Sequence, residues 1–206
     1  IIEAFIHAGI NNACKVNVKW IDTERLESSS DISKDFDSVD GILIPGGFGH
    51  RGIEGKILAV EHARKNDIPF FGICLGLQCA IIEFARNVCN LKNANSTEFS
   101  KRTKFPVVSI MPNQRSLRKK GATMRLGSYS CTVKSSTNAS NAYRSRKINE
   151  RHRHRYEVNN KYLGRMKKKG LIVSGVNEDL NLVEMIEIDS HRWFVGVQFH
   201  PELKSR

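Results

Sequence analysis

The sequence predicts an α/β fold with a largely parallel sheet. Three observations carry this. Apolar, strand-like segments alternate along the chain with segments of helical periodicity. One of those strands, Ile68 to Phe71, runs through the glycine-flanked turn Gly72-Ile73-Cys74-Leu75-Gly76 straight into an apolar helix-like segment. The last strand, Trp193 to Phe199, ends on His200-Pro201-Glu202.

Taken in order, Ile1 to Ala8 reads as a helix and Lys15 to Ile21 alternates as a strand. Asp40 to Ile44 is a short apolar strand stopped by Pro45-Gly46-Gly47. Glu54 to Lys65 carries helical spacing at Ile57, Leu58, Val60 and Ala63. The strand before Cys74 and a helix from Leu75 to Ala85 follow. Phe105 to Ile110 is a further strand, Asn113 to Gly121 a basic loop, and the Ser/Asn-rich stretch Ser135 to Asn141 a turn. Asn159 to Lys169 reads as a basic helix. Leu171 to Val176, Val183 to Ile188 and Trp193 to Phe199 complete the sheet. Neither a repeat nor a dividing linker is visible, so residues 1–206 read as one domain.

The composition narrows the class. A chain of 206 residues, 40% hydrophobic and 26% charged, suits one well-buried soluble domain. No apolar run is long enough to span a membrane, and the N-terminus lacks the pattern of a signal peptide. Opening on Ile1 without Met suggests a domain cut from a longer chain. Five cysteines cannot all pair within the chain, and Cys74 and Cys79 do not form a CxxC, so a reducing cytoplasmic setting is expected. No Cys/His spacing suits zinc, and no metal is expected. The formal net charge is +12, gathered at Arg115 to Lys120, Arg144 to Lys147, Arg151 to Arg155 and Arg165 to Lys169. Solvated faces explain such runs, and a surface for nucleotide phosphates or nucleic acid is the alternative. No RNA-binding aromatic pattern accompanies the charge, so nucleic acid is the weaker choice.

Chemistry concentrates at two places. A cysteine on a sharp strand-to-helix turn is the thiol counterpart of a nucleophile elbow. There the helix dipole should favour thiolate at Cys74. A free cysteine is more often a buried small hydrophobe, but the flanking glycines and the distant His-Pro-Glu favour the nucleophile. His200 can act as general base and then acid, and Glu202 can orient its ring. The turn Pro45-Gly46-Gly47-Phe48-Gly49 has the wrong spacing for a dinucleotide fingerprint.

Gly72-x-Cys74-x-Gly76-x-Gln78, followed by Gln198-Phe199-His200-Pro201-Glu202, resembles the class I glutamine amidotransferases. Further strings narrow this to the glutaminase domains of the CTP synthases. They are Pro45 to Lys56, Val18 to Asp22, Asn95 to Phe99, Met124 to Gly127 and above all Glu150 to Asn159, with its Arg-His-Arg-His-Arg-Tyr run. The resemblance covers essentially the whole chain. It implies a three-layer, flavodoxin-like arrangement with a mostly parallel central sheet flanked by helices. It implies a Cys74, His200, Glu202 triad that hydrolyses L-glutamine through a γ-glutamyl thioester. The backbone N–H groups of Gly47 and Leu75 would form the oxyanion hole, and Gln78, Glu98, Arg155 and Tyr156 would hold the substrate. Phe48, Arg51, Gly52 and Lys56 would belong to a lid linked to activation by GTP. The resemblance places ATP, magnesium and UTP on a separate N-terminal amidoligase domain and makes the whole enzyme a homotetramer, with no cofactor in this domain. The segment between Pro112 and Thr123 is shorter than the resemblance leads one to expect.

Overall fold

Helix α1 (Ile2–Asn11) opens the chain, and α2 (Thr23–Ser28) starts where the Asp22 side chain accepts from the Glu24 N–H. These elements belong to a computed structural model that describes residues 1–110 and 124–206. Strand β1 (Ile42–Ile44) leads through the glycine-rich loop into α3 (Ile53–Lys65). Strand β2 (Phe70–Ile73) then leads through the Cys74 turn into α4 (Leu75–Glu83), which continues as a π-helical turn to Val88. After β3 (Asn95–Ser96) and β4 (Pro106–Ser109) come β5 (Arg125–Val133), α5 (Asn138–Tyr143), β6 (Lys147–His154) and β7 (Glu157–Val158). Helix α6 (Leu163–Lys167), β8 (Leu171–Asn177), β9 (Leu182–Ile188) and β10 (Phe194–Val197) finish the fold, with a 3-10 turn at Pro201–Lys204.

Among the described residues, seven strands form the central sheet in the order β1-β2-β10-β9-β8-β5-β6, and β3, β4 and β7 form a second, small sheet. The α/β class holds, but the central sheet is mixed rather than mostly parallel. Within it, among the described residues, β1–β2 and β2–β10 pair in parallel, while β10–β9, β9–β8, β8–β5 and β5–β6 are antiparallel. The cause lies in the connections: β8 to β9 and β9 to β10 are short loops that can only reverse the chain. An apolar core lies on each face of this sheet. Phe70, Leu77, Ile81, Ile186 and Phe194 belong to one, while Ile73, Met185, Val195, Val197 and Phe199 belong to the other. Helices, sheet and helices thus make three layers.

Two sequence-based expectations need correction, one expected strand lies in the small sheet, and two strands were unforeseen. Lys15 to Ile21 is not a strand: among the described residues nothing pairs with it, and Trp20 is 75% exposed. Alternation alone makes no strand without a neighbour to complete the ladder. Ser135 to Asn141 is not merely a turn. Thr137 and Ser140 form a reciprocal capping box that starts α5. Phe105 to Ile110 does contain a strand, β4, but it lies in the small sheet. Strands β5 and β6 were not expected at all. The buried face of β6 is Ile148, Glu150, His152 and His154, so no apolar alternation marks it. The basic loop 113–121 and the short 112–123 segment lie outside the described residues.

Candidate active site

The elbow owes its shape to two glycines. Cys74 sits at φ 52°, ψ −96°, between β2 and α4, a conformation that non-glycine residues rarely adopt. A Cβ on Gly72 would lie 2.7 Å from the carbonyl carbon of Gly76, and one on Gly76 would strike the Ile44 oxygen. Bare backbone at both positions lets the helix turn back directly over the sheet. The Cys74 N–H donates to the Val197 carbonyl at 2.7 Å, which ties the elbow to β10. In that parallel register Val197 pairs with Ile73, so the chain leaving β10 carries Gln198 and His200 past Cys74.

His200 is held from two sides. Its N–H donates to the Arg151 carbonyl at 2.8 Å, and its Nδ1 lies 2.8 Å from Glu202 Oε1. A carboxylate accepts only, so the proton sits on Nδ1 and Nε2 is left as the base. Nε2 is buried and has no hydrogen-bond partner among the described residues. A Cβ on Gly46 would lie 2.6 Å from His200 Cε1 and 3.6 Å from the Cys74 Cβ. The imidazole and the Cys74 Cβ therefore both crowd one bare glycine. Sequence reading passed over Gly46, and only its place between the two side chains reveals it.

The elbow does not leave a resting thiolate, contrary to the helix-dipole expectation. Burial pushes the Cys74 thiol up to about 12, outweighing the Leu75 N–H that favours the anion, and the carboxylates of Glu157, Glu202 and Glu98 add to the rise. Two cysteines with no part in the site, Cys79 and Cys131, are likewise pushed up to about 12 by burial. What separates Cys74 from them is geometry. Of the three, Cys74 is the one on the elbow, against the glycine that His200 also crowds.

Of the residues expected to bind substrate, Gln78 and Tyr156 are in contact. Burial raises the carboxyl of Glu98, while the Gly49 N–H and the more distant Arg155 charge oppose the rise. Arg155 itself is exposed. The Gln78 side chain is buried, and its Nε2 donates to the Tyr156 carbonyl at 3.1 Å. Gly47 adjoins Leu75: a Cβ there would lie 3.2 Å from Leu75 Cδ2. Around the expected lid, Phe48 is exposed with the Arg153 guanidinium 5.9 Å from its ring centre. Gly52 caps α3 at φ 64°. Lys56 Nζ donates to Thr23 Oγ1 at 3.1 Å and to the Arg51 and Gly52 carbonyls, while Arg51 pairs with Glu24 at 2.8 Å.

Behind this wall lies a buried charged network that sequence reading missed. Arg125 reaches Glu184 at 2.6 Å and Glu157 at 3.3 Å. His152 reaches Glu184 at 2.7 Å, and His154 reaches Glu157 at 2.8 Å. His154 and Glu157 close the turn that presents Arg155 and Tyr156. Their signal was in view within the Arg-His-Arg-His-Arg-Tyr run, but charge on a strand reads as exposure. Among the described residues no group of three His, Cys, Asp or Glu could hold a metal ion. No helix among them is long and apolar enough to cross a membrane.

The family model for glutamine amidotransferase class-I matches residues 1–206. The chain belongs to the class I glutamine amidotransferases. Its curated relatives include a CTP synthase of Chloroherpeton thalassium, 56% identical over 207 residues, and one of Chlorobaculum parvum, 58% identical over 207 residues. Both matches cover 100% of this chain and 37% of the relative, so the chain spans little more than a third of their length. Among solved structures it is similar to the glutaminase domain of Trypanosoma brucei CTPS with bound acivicin. That likeness has a TM-score of 0.92 and 40% identity over 98% of this chain and 79% of the other. A glutamine amidotransferase from Thermotoga maritima shares the fold at a TM-score of 0.57 and 15% identity, covering 95% of this chain and 68% of the other. For a class I glutamine amidotransferase, a cysteine on an elbow close to a carboxylate-oriented imidazole is an arrangement suited to acyl transfer.

Proposed function

We propose that this chain is a glutaminase domain, residues 1–206, that hydrolyses L-glutamine to glutamate and ammonia. The observation that carries this reading is the meeting of Cys74 and His200 across Gly46, with Glu202 on the far ring nitrogen. Cys74 Sγ attacks the carboxamide carbon as His200 Nε2 takes the thiol proton. The N–H groups of Gly47 and Leu75 hold the oxyanion. His200 returns the proton to the departing nitrogen, ammonia leaves and a γ-glutamyl thioester remains. His200 then takes a proton from water, whose oxygen attacks the thioester carbon. Glutamate leaves and the thiol re-forms. Arg155 pairs with the substrate α-carboxylate, Glu98 with its α-ammonium, and Gln78 and Tyr156 line the wall. The electrostatic influence of Arg155 and the Gly49 N–H on the Glu98 carboxyl supports this placement.

The names of the similar proteins support the wider setting: ammonia released here aminates UTP to CTP. That step belongs to a separate amidoligase domain using ATP and magnesium, in an enzyme built as a homotetramer. GTP would act on the Phe48, Arg51, Gly52 and Lys56 lid. The test is intact-mass labelling with a glutamine-mimicking diazoketone. One adduct on Cys74, absent from Cys74→Ala and blocked by excess glutamine, is expected. No adduct on a folded chain supplied with the amidoligase domain and GTP would overturn the reading.

A further inference from the structure

We propose that Gln198 is a catalytic residue whose side-chain N–H donates to Cys74 Sγ and stabilises the thiolate, in an orientation dictated by Gln78 and the Tyr156 carbonyl. The reaction it serves rests on the glutaminase reading above, but the relay itself does not.

Gln198 is fully buried, and its Nε2 lies 3.8 Å from Cys74 Sγ, within reach of sulfur's larger radius. Its Oε1 lies 3.5 Å from Gln78 Nε2, which also donates to the Tyr156 carbonyl at 3.1 Å. The two ends of a glutamine amide look alike, so their assignment has to come from partners. Here one partner is unambiguous. A backbone carbonyl can only accept, so the end of Gln78 facing Tyr156 is the NH₂ group. That same group faces Gln198, whose near end must then be its oxygen. The far end, pointing at sulfur, is therefore a donor. Turning Gln198 over would set two NH₂ groups against each other and leave an oxygen facing the nucleophile.

The backbone holds this chain of amides in place. The Gln198 N–H donates to the Glu184 carbonyl at 2.8 Å, and the Cys74 N–H donates to Val197 at 2.7 Å. Burial opposes the anion at Cys74, and an N–H aimed at sulfur from a dry interior acts in the opposite sense. It joins the Leu75 N–H as a second donor. Charge that builds on sulfur as His200 takes the proton thus meets fixed dipoles and needs no rearrangement.

The test is the rate at which iodoacetamide alkylates Cys74 at pH 8, read by peptide mass. The thiolate is the reacting form, so the rate follows its population. A hydrogen bond to a charged group is worth enough that Gln198→Met should slow alkylation by about tenfold or more. Gln78→Met, one residue removed from sulfur, leaves access to the thiol unchanged and should slow it in the same direction but less. Wild-type rates in folded Gln198→Met would overturn the proposal, and a wild-type rate in folded Gln78→Met would overturn the relay that orients it. If Gln198→Met does not fold, Gln198→Asn, which withdraws the amide by one methylene, takes its place on the same terms. Alkylation needs no glutamine. A chain that shows the slowing yet never hydrolyses glutamine keeps the relay and loses the glutaminase reading, and the reverse result separates them the other way.

Discussion

At the scale of single residues, the site depends on small distances. Gly46 separates His200 from Cys74, and any Cβ there meets the imidazole at 2.6 Å. Gly46→Ala should lower kcat for glutamine hydrolysis by about 10²-fold or more, since an ångström of misplacement costs that much. Its melting temperature should barely change. Glu202→Gln keeps the shape but offers its NH₂ to a ring nitrogen that carries a proton. The ring then turns to the wrong tautomer, and kcat should fall about 10³- to 10⁴-fold with KM nearly unchanged. A loss confined to KM would remove Glu202 from the triad. Glu98 gives a pH signature. Burial raises its carboxyl, so as pH falls it is protonated above the ordinary glutamate value of 4.5 and loses its attraction for an ammonium group. KM for glutamine should therefore begin to climb already above the pH at which an ordinary glutamate titrates, and Glu98→Gln should abolish that climb.

At the scale of elements, strands β5, β6, β7 and β9 are joined through Arg125 and its two glutamates. Arg125→Met leaves two buried carboxylates without their cation and should destabilise the fold by about 3–5 kcal/mol in urea unfolding. A cost under about 1 kcal/mol would mean that the histidines alone hold the glutamates. Burial pushes Glu157 up, yet His154 and Arg125 together outweigh it and hold its carboxyl below the ordinary 4.5. A lowered native value means that its contribution to stability is complete above the unfolded value and is lost as pH falls through the native one. Glu157→Gln should lose stability near neutral pH and flatten the acid limb of the stability profile. This network also explains what was hidden in the sequence. Helix α3 and strands β1, β2, β8, β9 and β10 announce themselves through apolar spacing. Strand β6 carries Glu150, His152 and His154 inward, and a charged residue on paper looks exposed until its partner is known.

For the molecule as a whole, apolar surface is distributed unevenly. Ile2, Ile6 and Ile10 lie along one face of α1, and Val16, Val18 and Trp20 alternate along the extended segment after it. All six are well exposed. A contiguous stripe of that kind promotes association. The chain by itself should self-associate with rising concentration in sedimentation velocity. Ile6→Lys with Ile10→Lys should suppress this without lowering the melting temperature. Unchanged association in that double variant would place the sticky surface elsewhere. Around the thiol, Glu98, Glu157 and Glu202 supply acid despite the formal charge of +12. The site is thus set by local partners more than by the overall field.

By itself the sequence determined the α/β class, the elbow at Cys74, the histidine and glutamate after the last strand, and the family. Each is a local pattern: a period, a glycine spacing or a motif carried within a few residues. Tertiary structure alone decided the mixed sheet, the place of Gly46 between thiol and imidazole, the buried network and the meeting of Gln198 with Gln78. These depend on pairing between residues far apart in the chain, such as Gln78 with Gln198 or Arg125 with Glu184. The protonation of Cys74 belongs with them. A helix N-terminus in the sequence argues for thiolate, but how far burial opposes it is known only once the core has closed around the sulfur.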